Sequence, residues 1–203
     1  MTEPTPTRGR PASSDAPLIT GRIVDAAWQV LLKSGPEQFS LDKVASSAHA
    51  SKQTIYARFS GKLELLAAVL AERIGLLFTE FSQVASGGGI EAVIAEVTRR
   101  SATSLGAPEA LMLERLIDWV DMARGQHSAS TREAIYREMH ALLRGYLSAA
   151  VAGGELVIAD IDGAASYWLD GLIGHVRGVP RGGAELEQWA RTFARLFLRA
   201  VSG

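Results

Sequence analysis

The chain has 203 residues and no cysteine. That excludes a disulfide scaffold and thiolate metal sites, and it fits a reducing compartment. Long apolar runs are also missing, since nothing approaches the roughly 18 consecutive apolar residues of a membrane-spanning helix. Residues Met1 to Pro17 are rich in Pro, Thr and Ser and lack the apolar stretch of a secretory signal. The cytoplasm is therefore the expected location, with no membrane partner. Catalytic signatures are absent too: there is no Gly-x-Ser-x-Gly elbow, no phosphate loop, no His-Glu-x-x-His and no Gly-x-Gly-x-x-Gly. His49, His127, His140 and His175 lack the spacing of metal ligands. No enzyme, cofactor or metal site is expected. Alternating β-branched runs are scarce, so strands are not expected either.

What remains is an ordinary globular composition, 47% hydrophobic and 21% charged. The net charge of −1 at first argues against a nucleic-acid partner, but its distribution is uneven. Residues 1–62 hold eight basic and five acidic side chains, a net of +3, while the rest holds thirteen against seventeen, a net of −4. A basic front and an acidic remainder fit a chain that meets phosphate at one end only.

From residue 18 onward the apolar residues recur with helical period. Ile23, Ala26, Ala27, Val30 and Leu31 mark a first helix, with Thr20 as N-cap and Gly35 beyond its end. Ser40 caps a short second helix with Asp42 in its first turn, and Ser51 caps a third that carries Ile55, Tyr56 and Phe59. Further helices are predicted near 62–85, 90–104, 108–124, 130–152, 161–178 and 184–201, and the triple glycine Gly87 to Gly89 reads as a loop. The expected fold is all-α: a flexible basic arm over 1–17, a three-helix unit over 18–62 and a larger helical domain over 63–203.

The second and third helices carry the chemistry. The connection Ala48-His49-Ala50-Ser51 is short enough to make them cross steeply, which turns the start of the third outward. Lys52, Gln53, Thr54, Ala57 and Arg58 would lie on its outer side, with Ile55 and Phe59 inside. Gln pairs bidentately with adenine and Thr touches a thymine methyl or a phosphate. Lys52, Arg58 and Lys62 suit phosphates, as does the Tyr56 hydroxyl; Thr20, Arg22, Ser40 and Ser51 complete the candidate contacts. Spacing alone leaves a plain helical hairpin with a solvated polar face equally open.

Three segments, Ile23-Val24-Asp25-Ala26-Ala27, Ser40 to Ala45 and Ser51 to Phe59, continued by Lys62 and the pair Leu65-Leu66, resemble the N-terminal domain of the TetR/AcrR family. The resemblance covers about residues 19–70 and implies a helix-turn-helix DNA-binding domain over 18–62 and a helical effector-binding and dimerisation domain over 63–203, in a homodimer on a palindromic double-stranded operator, usually a repressor released by a small molecule. Two positions depart from the pattern. His49 stands where the family usually has Gly, so a positive φ is predicted there, which His tolerates better than most residues. Gln53 replaces a small residue and reads as a base contact particular to this chain, with a plain surface side chain as the alternative. Ahead of the first helix, Arg8-Gly9-Arg10-Pro11 resembles an AT-hook, in which both arginines enter a narrow A·T-rich minor groove; a solvated tail is the alternative.

In the second half, Tyr167, Gly171, Gly174 and Gly178 share one helical face, and Trp189, Phe193 and Phe197 lie on the final helix. Small residues let two backbones approach, so these positions are the candidate dimer interface, with an intrachain core as the alternative. Phe78, Met112, Leu116, Trp119, Met122, Tyr136, Met139, His140, Trp168 and His175 are the candidate lining for a small apolar effector, though each suits a plain core as well. Glu114, Asp118 and Asp121 read as a solvated stripe. The competing functions are a helical small-molecule-binding protein or enzyme without DNA binding, and a nonspecific architectural DNA binder.

Overall fold

The computed structural model describes residues 16–84, 88–125, 130–178 and 183–202. Among them every regular element is helical: α1 Ala16–Ser34, α2 Leu41–Ser47, α3 Lys52–Tyr56, α4 Lys62–Ser82, α5 Gly89–Gly106, α6 Pro108–Arg124, α7 Thr131–Ala152, α8 Ile161–Gly178 and α9 Gly183–Val201. No helix among the described residues is long and apolar enough to cross a membrane. The chain divides into two compact units, Met1–Val69 and Leu70–Gly203. The division falls inside α4, seven residues beyond the boundary expected from sequence.

In the first unit α1 turns Ile23, Ala27 and Leu31 fully inward, and Val44, Ile55, Leu65 and Leu66 meet them at the same zero exposure. Burying each such aliphatic side chain stabilises the unit by about 1.5–3 kcal/mol, before any entropy is charged against it. The start of α1 corrects the sequence reading. The helix begins at Ala16, so Thr20 is no N-cap; its hydroxyl donates to the Ala16 carbonyl at 3.0 Å, one turn back. Pro17 explains the extension, because a proline in the first turn removes only an N–H that would have no helical partner. Ser40 and Ser51 do cap: the Ser40 hydroxyl accepts from the Asp42 N–H, and Ser51 from the Thr54 N–H at 3.0 Å.

The chain leaves α2 through His49, whose φ is +49°. The Ala50 N–H donates to the Ala45 carbonyl at 3.0 Å and the His49 N–H to the Ser46 carbonyl at 3.3 Å. This pair of reversed bonds is the Schellman ending, which needs a left-handed residue between the helix and the exit. A non-glycine residue fills that role here, as expected.

The second unit is organised around α5, which packs most extensively on α9 and also meets α8 and α7. Ile94, Leu143, Leu147, Ala165, Trp168, Leu172 and Ala190 form its fully buried centre, with Phe197 beside them. Trp168 brings a polar atom into that centre, and its Nε1–H donates to the Thr98 hydroxyl at 2.9 Å; Thr98 in turn donates to the Ile94 carbonyl at 2.7 Å. The Trp168 and Thr98 donors are thus both used, as a low-dielectric interior favours. Gly106 ends α5 where a Cβ would stand 2.8 Å from Leu186 of α9, so glycine there is a packing necessity rather than loop punctuation. The N-terminus of α5 has no local side-chain cap; Glu155, from beyond the end of α7, accepts the Ile90 N–H at 2.8 Å.

Long-range polar ties hold the periphery. Arg100 donates to the Glu80 carbonyl at 2.9 Å and Tyr146 to the Phe81 carbonyl at 3.0 Å, so two carbonyls at the end of α4 are satisfied from α5 and α7. Glu96 receives Arg99 and Arg100 together, and these two partners, Arg99 foremost, hold its carboxyl down at about 2. The acidic residues of α6, read from sequence as a solvated stripe, each hold a partner: Glu114 meets Arg177 of α8 at 2.8 Å, Asp118 meets Arg132 of α7 at 2.7 Å, and Asp121 accepts the Thr131 N–H at 2.9 Å.

The left-handed conformation gives a testable cost. Relief of the αL penalty stabilises a glycine by about 1–2 kcal/mol, while the freer unfolded chain offsets about 0.4–1 kcal/mol of that. His49→Gly is therefore expected to raise stability by about 0.5–1 kcal/mol. Urea unfolding read by circular dichroism checks this, and an unchanged or lower midpoint would show that His49 carries no strain.

Candidate nucleic-acid interface

With its exit angle fixed at His49, α3 presents one side to the first unit and the other to solvent. Ile55 is fully buried and Phe59, just past the helix, is nearly so. Lys52, Gln53 and Ala57 are exposed, Tyr56 is 56% exposed, and Thr54 and Arg58 are half-buried. Thr54 is held by its own cap, its hydroxyl 2.8 Å from that of Ser51. Arg58 donates through Nη1 to the Thr54 carbonyl at 3.1 Å. Its remaining donors stay available beside Ala16, Pro17, Thr20 and Ala57, which line a shallow groove with it. Arg22 is exposed on α1 and Ser40 half-buried before α2.

Two of the candidate cations are engaged within the unit. Lys62 donates to the Pro36 carbonyl at 2.6 Å and lies 5.8 Å from the centre of the Phe39 ring. Burial pulls its ammonium below the usual lysine range, with Glu37 opposing. Lys52 pairs with Asp42 of α2 at 2.5 Å, both side chains more than half exposed. Sequence periodicity could not have found either contact, because each joins elements across a turn. After α3 the Glu64 carboxylate accepts the Ser60 N–H at 2.6 Å, closing the turn into α4 and lowering the Glu64 pKa. Arg8 and Arg10 lie outside the described residues.

This arrangement, a capped short helix set across its predecessor with polar side chains outward, can place five or six side chains in a major groove. The sequence profile of bacterial regulatory proteins of the tetR family matches residues 23–69. That match lies wholly within the first unit. A DNA-binding transcriptional repressor TetR of Mycobacteroides abscessus is 52% identical over 48 residues, 24% of this chain and 25% of that protein. The HTH-type transcriptional regulator SrpR of Pseudomonas putida is 37% identical over 73 residues, 36% of this chain and 34% of that protein. The chain thus matches only a quarter to a third of the length of these curated relatives. In fold the likeness runs along nearly the whole chain: a structure described as a putative TetR-family transcriptional regulator from Mesorhizobium loti superposes with a TM-score of 0.82 over 98% of this chain and 100% of that one, at 23% identity. FadR from Bacillus subtilis, solved in complex with stearoyl-CoA, superposes at 0.59 over 89% of this chain and 98% of that one, at 19% identity.

The second unit disperses the candidate effector residues. Leu116 and Trp168 have zero exposure, and Trp168 is bound to Thr98; Met122 is 82% exposed. Phe78, Met112 and Trp119 are half-buried. Tyr136 and Met139 pack against the core, and the Tyr136 hydroxyl donates to Asp170 at 2.9 Å, with burial first and Asp170 second raising its pKa. Nε2 of His140 donates to the Asp162 carbonyl at 3.1 Å. His175 stacks on Trp189 at 4.0 Å, and Trp189 stacks on Phe193 at 5.0 Å. The pairing candidates divide as well. Phe197 is 1% exposed and a Cβ on Gly171 would meet the Phe193 ring at 2.9 Å, so these positions serve packing within the chain. Tyr167 is 58% exposed, stacked on Phe197, and Gly174 and Gly178 face open space.

Because the Lys62 ammonium serves the Pro36 carbonyl, Lys62→Met is expected to lower stability by about 1–2 kcal/mol, the cost of leaving a half-buried acceptor unpaired. Urea unfolding measures it, and an unchanged midpoint would show that the contact carries no weight.

Proposed function

We propose that the protein is a sequence-specific DNA-binding transcription regulator, a homodimeric repressor released from a palindromic operator by a small apolar ligand, and not an enzyme. The observation that carries the reading is the outward polar side of α3, Lys52 to Arg58, held by the Ser51 cap and the His49 turn within a tetR-family domain. Gln53 is the base reader, Lys52, Tyr56 and Arg58 meet phosphate, and Thr54 stands between the two roles. Arg8 and Arg10 add minor-groove contacts ahead of α1. The curated relatives that share this domain carry the names repressor and transcriptional regulator, which supports the same activity here.

Pairing through α8 and α9 rests on Tyr167, Gly174 and Gly178, with Leu196 of α9 54% exposed nearby in sequence to the buried Phe197. Close approach of two such faces needs small residues at the crossing. The effector class is apolar, in keeping with the aromatic and Met content of the second unit and with an acyl-CoA on one structural neighbour. To release a mostly bound operator, such a ligand must favour the unbound conformation by roughly 10⁴-fold. The cytoplasm is the corresponding location.

Gel shifts with the DNA upstream of the coding sequence, against random-sequence duplex, test the reading. A shift confined to the upstream fragment is expected; no shift favours a ligand-binding protein without DNA, and a shift indifferent to sequence favours an architectural binder. Deleting residues 1–17 is expected to weaken binding and flatten its salt dependence, each lost phosphate contact reducing the slope of log K on log salt by about 0.9. Gly174→Arg is expected to give a folded monomer in light scattering, since nothing lies within 4 Å of the added Cβ. A dimer that persists would move the interface elsewhere.

A further inference from the structure

Asp42 places a carboxylate where the proposed function calls for cations. It lies on the exposed first turn of α2, its backbone N–H bound to the Ser40 hydroxyl at 3.2 Å and its Oδ1 2.5 Å from Lys52 Nζ at the start of α3. The pair is 59% exposed on Lys52 and 64% on Asp42. An exposed ion pair shifts a folding equilibrium by at most about five-fold, so holding α2 to α3 is a weak reason for it. The core residues Val44 and Ile55, both fully buried, already join the two helices.

We propose that Asp42 is a positioning residue for DNA discrimination, acting through Lys52. This rests on the reading of α3 as the DNA-contacting helix. A lysine is a point charge on a flexible four-carbon stem, and an unrestrained one follows a phosphate in any register of the duplex. Tied to Asp42, its ammonium stands at one place between α2 and α3. It meets a phosphate without rearrangement only when the helix lies in the register that brings a phosphate to that place. Nonspecific complexes draw essentially all their affinity from such phosphate contacts, so the tether lowers them most. In the specific complex the ordering of the side chain is already done before binding, which offsets the charge that Asp42 cancels.

The test uses the full chain and fluorescence anisotropy on a short random-sequence duplex and on the upstream fragment, each over a salt series. For Asp42→Asn, binding to random sequence is expected to tighten by about two- to five-fold per protomer, with the slope of log K on log salt steepening by about 0.9 per protomer. Binding to the upstream fragment is expected to change less, so the ratio between the two narrows. In a Lys52→Gln background the same Asp42→Asn change is expected to have little effect. Circular dichroism confirms that α2 is intact in each variant; Asp42→Ser, which also removes the charge, replaces Asp42→Asn should that variant unfold. An unchanged salt slope, an unchanged ratio, or an undiminished effect in the Lys52→Gln background overturns the proposal while leaving the DNA-binding reading in place. A wild-type chain that binds no duplex at low salt overturns both.

Discussion

The outward face of the first unit depends on one backbone reversal. α2 has seven residues and α3 five, too short for either to hold its direction by its own hydrogen bonds. What sets the angle between them is the pair of reversed bonds at the end of α2 together with the left-handed His49. From that turn the Ser51 cap starts α3 in a fixed rotation, and the rotation decides that Ile55 and Phe59 go inward and Gln53, Tyr56 and Ala57 outward. A change at His49 would re-aim α3 relative to α2. Accepting a strained residue there is consistent with the wider observation that unusual φ values concentrate where geometry serves recognition.

Helix ends in the second unit are resolved differently. The start of α5 is capped by Glu155 from the far end of α7, and two carbonyls at the end of α4 are taken by Arg100 and Tyr146. Each such bond is worth about 0.5–3 kcal/mol depending on charge, comparable to a local cap. The difference lies in what they couple: a local cap stabilises one helix, whereas these tie the end of one helix to the side of another. Displacement of α5 or α7 is therefore felt directly at the last turn of α4.

The same contrast explains what could be read in advance. Helix periods, the caps at Ser40 and Ser51 and the glycine after α1 are local properties, recoverable from neighbouring residues, whereas the positive φ at His49 is legible only through the family resemblance. Thr20 was misplaced because a proline and a threonine compete as start signals, and the proline in the first turn let the helix run back to Ala16. The acidic residues of α6 were legible as a face but not as ties, since Arg132 and Arg177 come from other helices. The second unit's candidate pocket was least legible: aromatic and sulfur side chains have the same composition in a lining as in a core, and only packing separates Trp168, sealed against Thr98, from Met122 on the surface.

Charge counting illustrates the limit most sharply. The net of +3 over residues 1–62 suggested a basic surface, yet Lys62 is drawn to the Pro36 carbonyl, Lys52 to Asp42, and Arg58 gives one of its donors to Thr54. Lys52 and Asp42 together have the field of a dipole, whereas Lys62 and Arg58, bound to neutral carbonyls, keep their charge but are held in place by those oxygens. The first unit also offers the exposed Gln53 amide and Tyr56 hydroxyl and the N–H groups that Arg58 does not spend on Thr54, on a helix whose direction the cap and the turn set. On the proposed reading of α3, the Asp42–Lys52 pair and the direction of α3 both act on discrimination, whereas net charge acts on affinity for DNA in general.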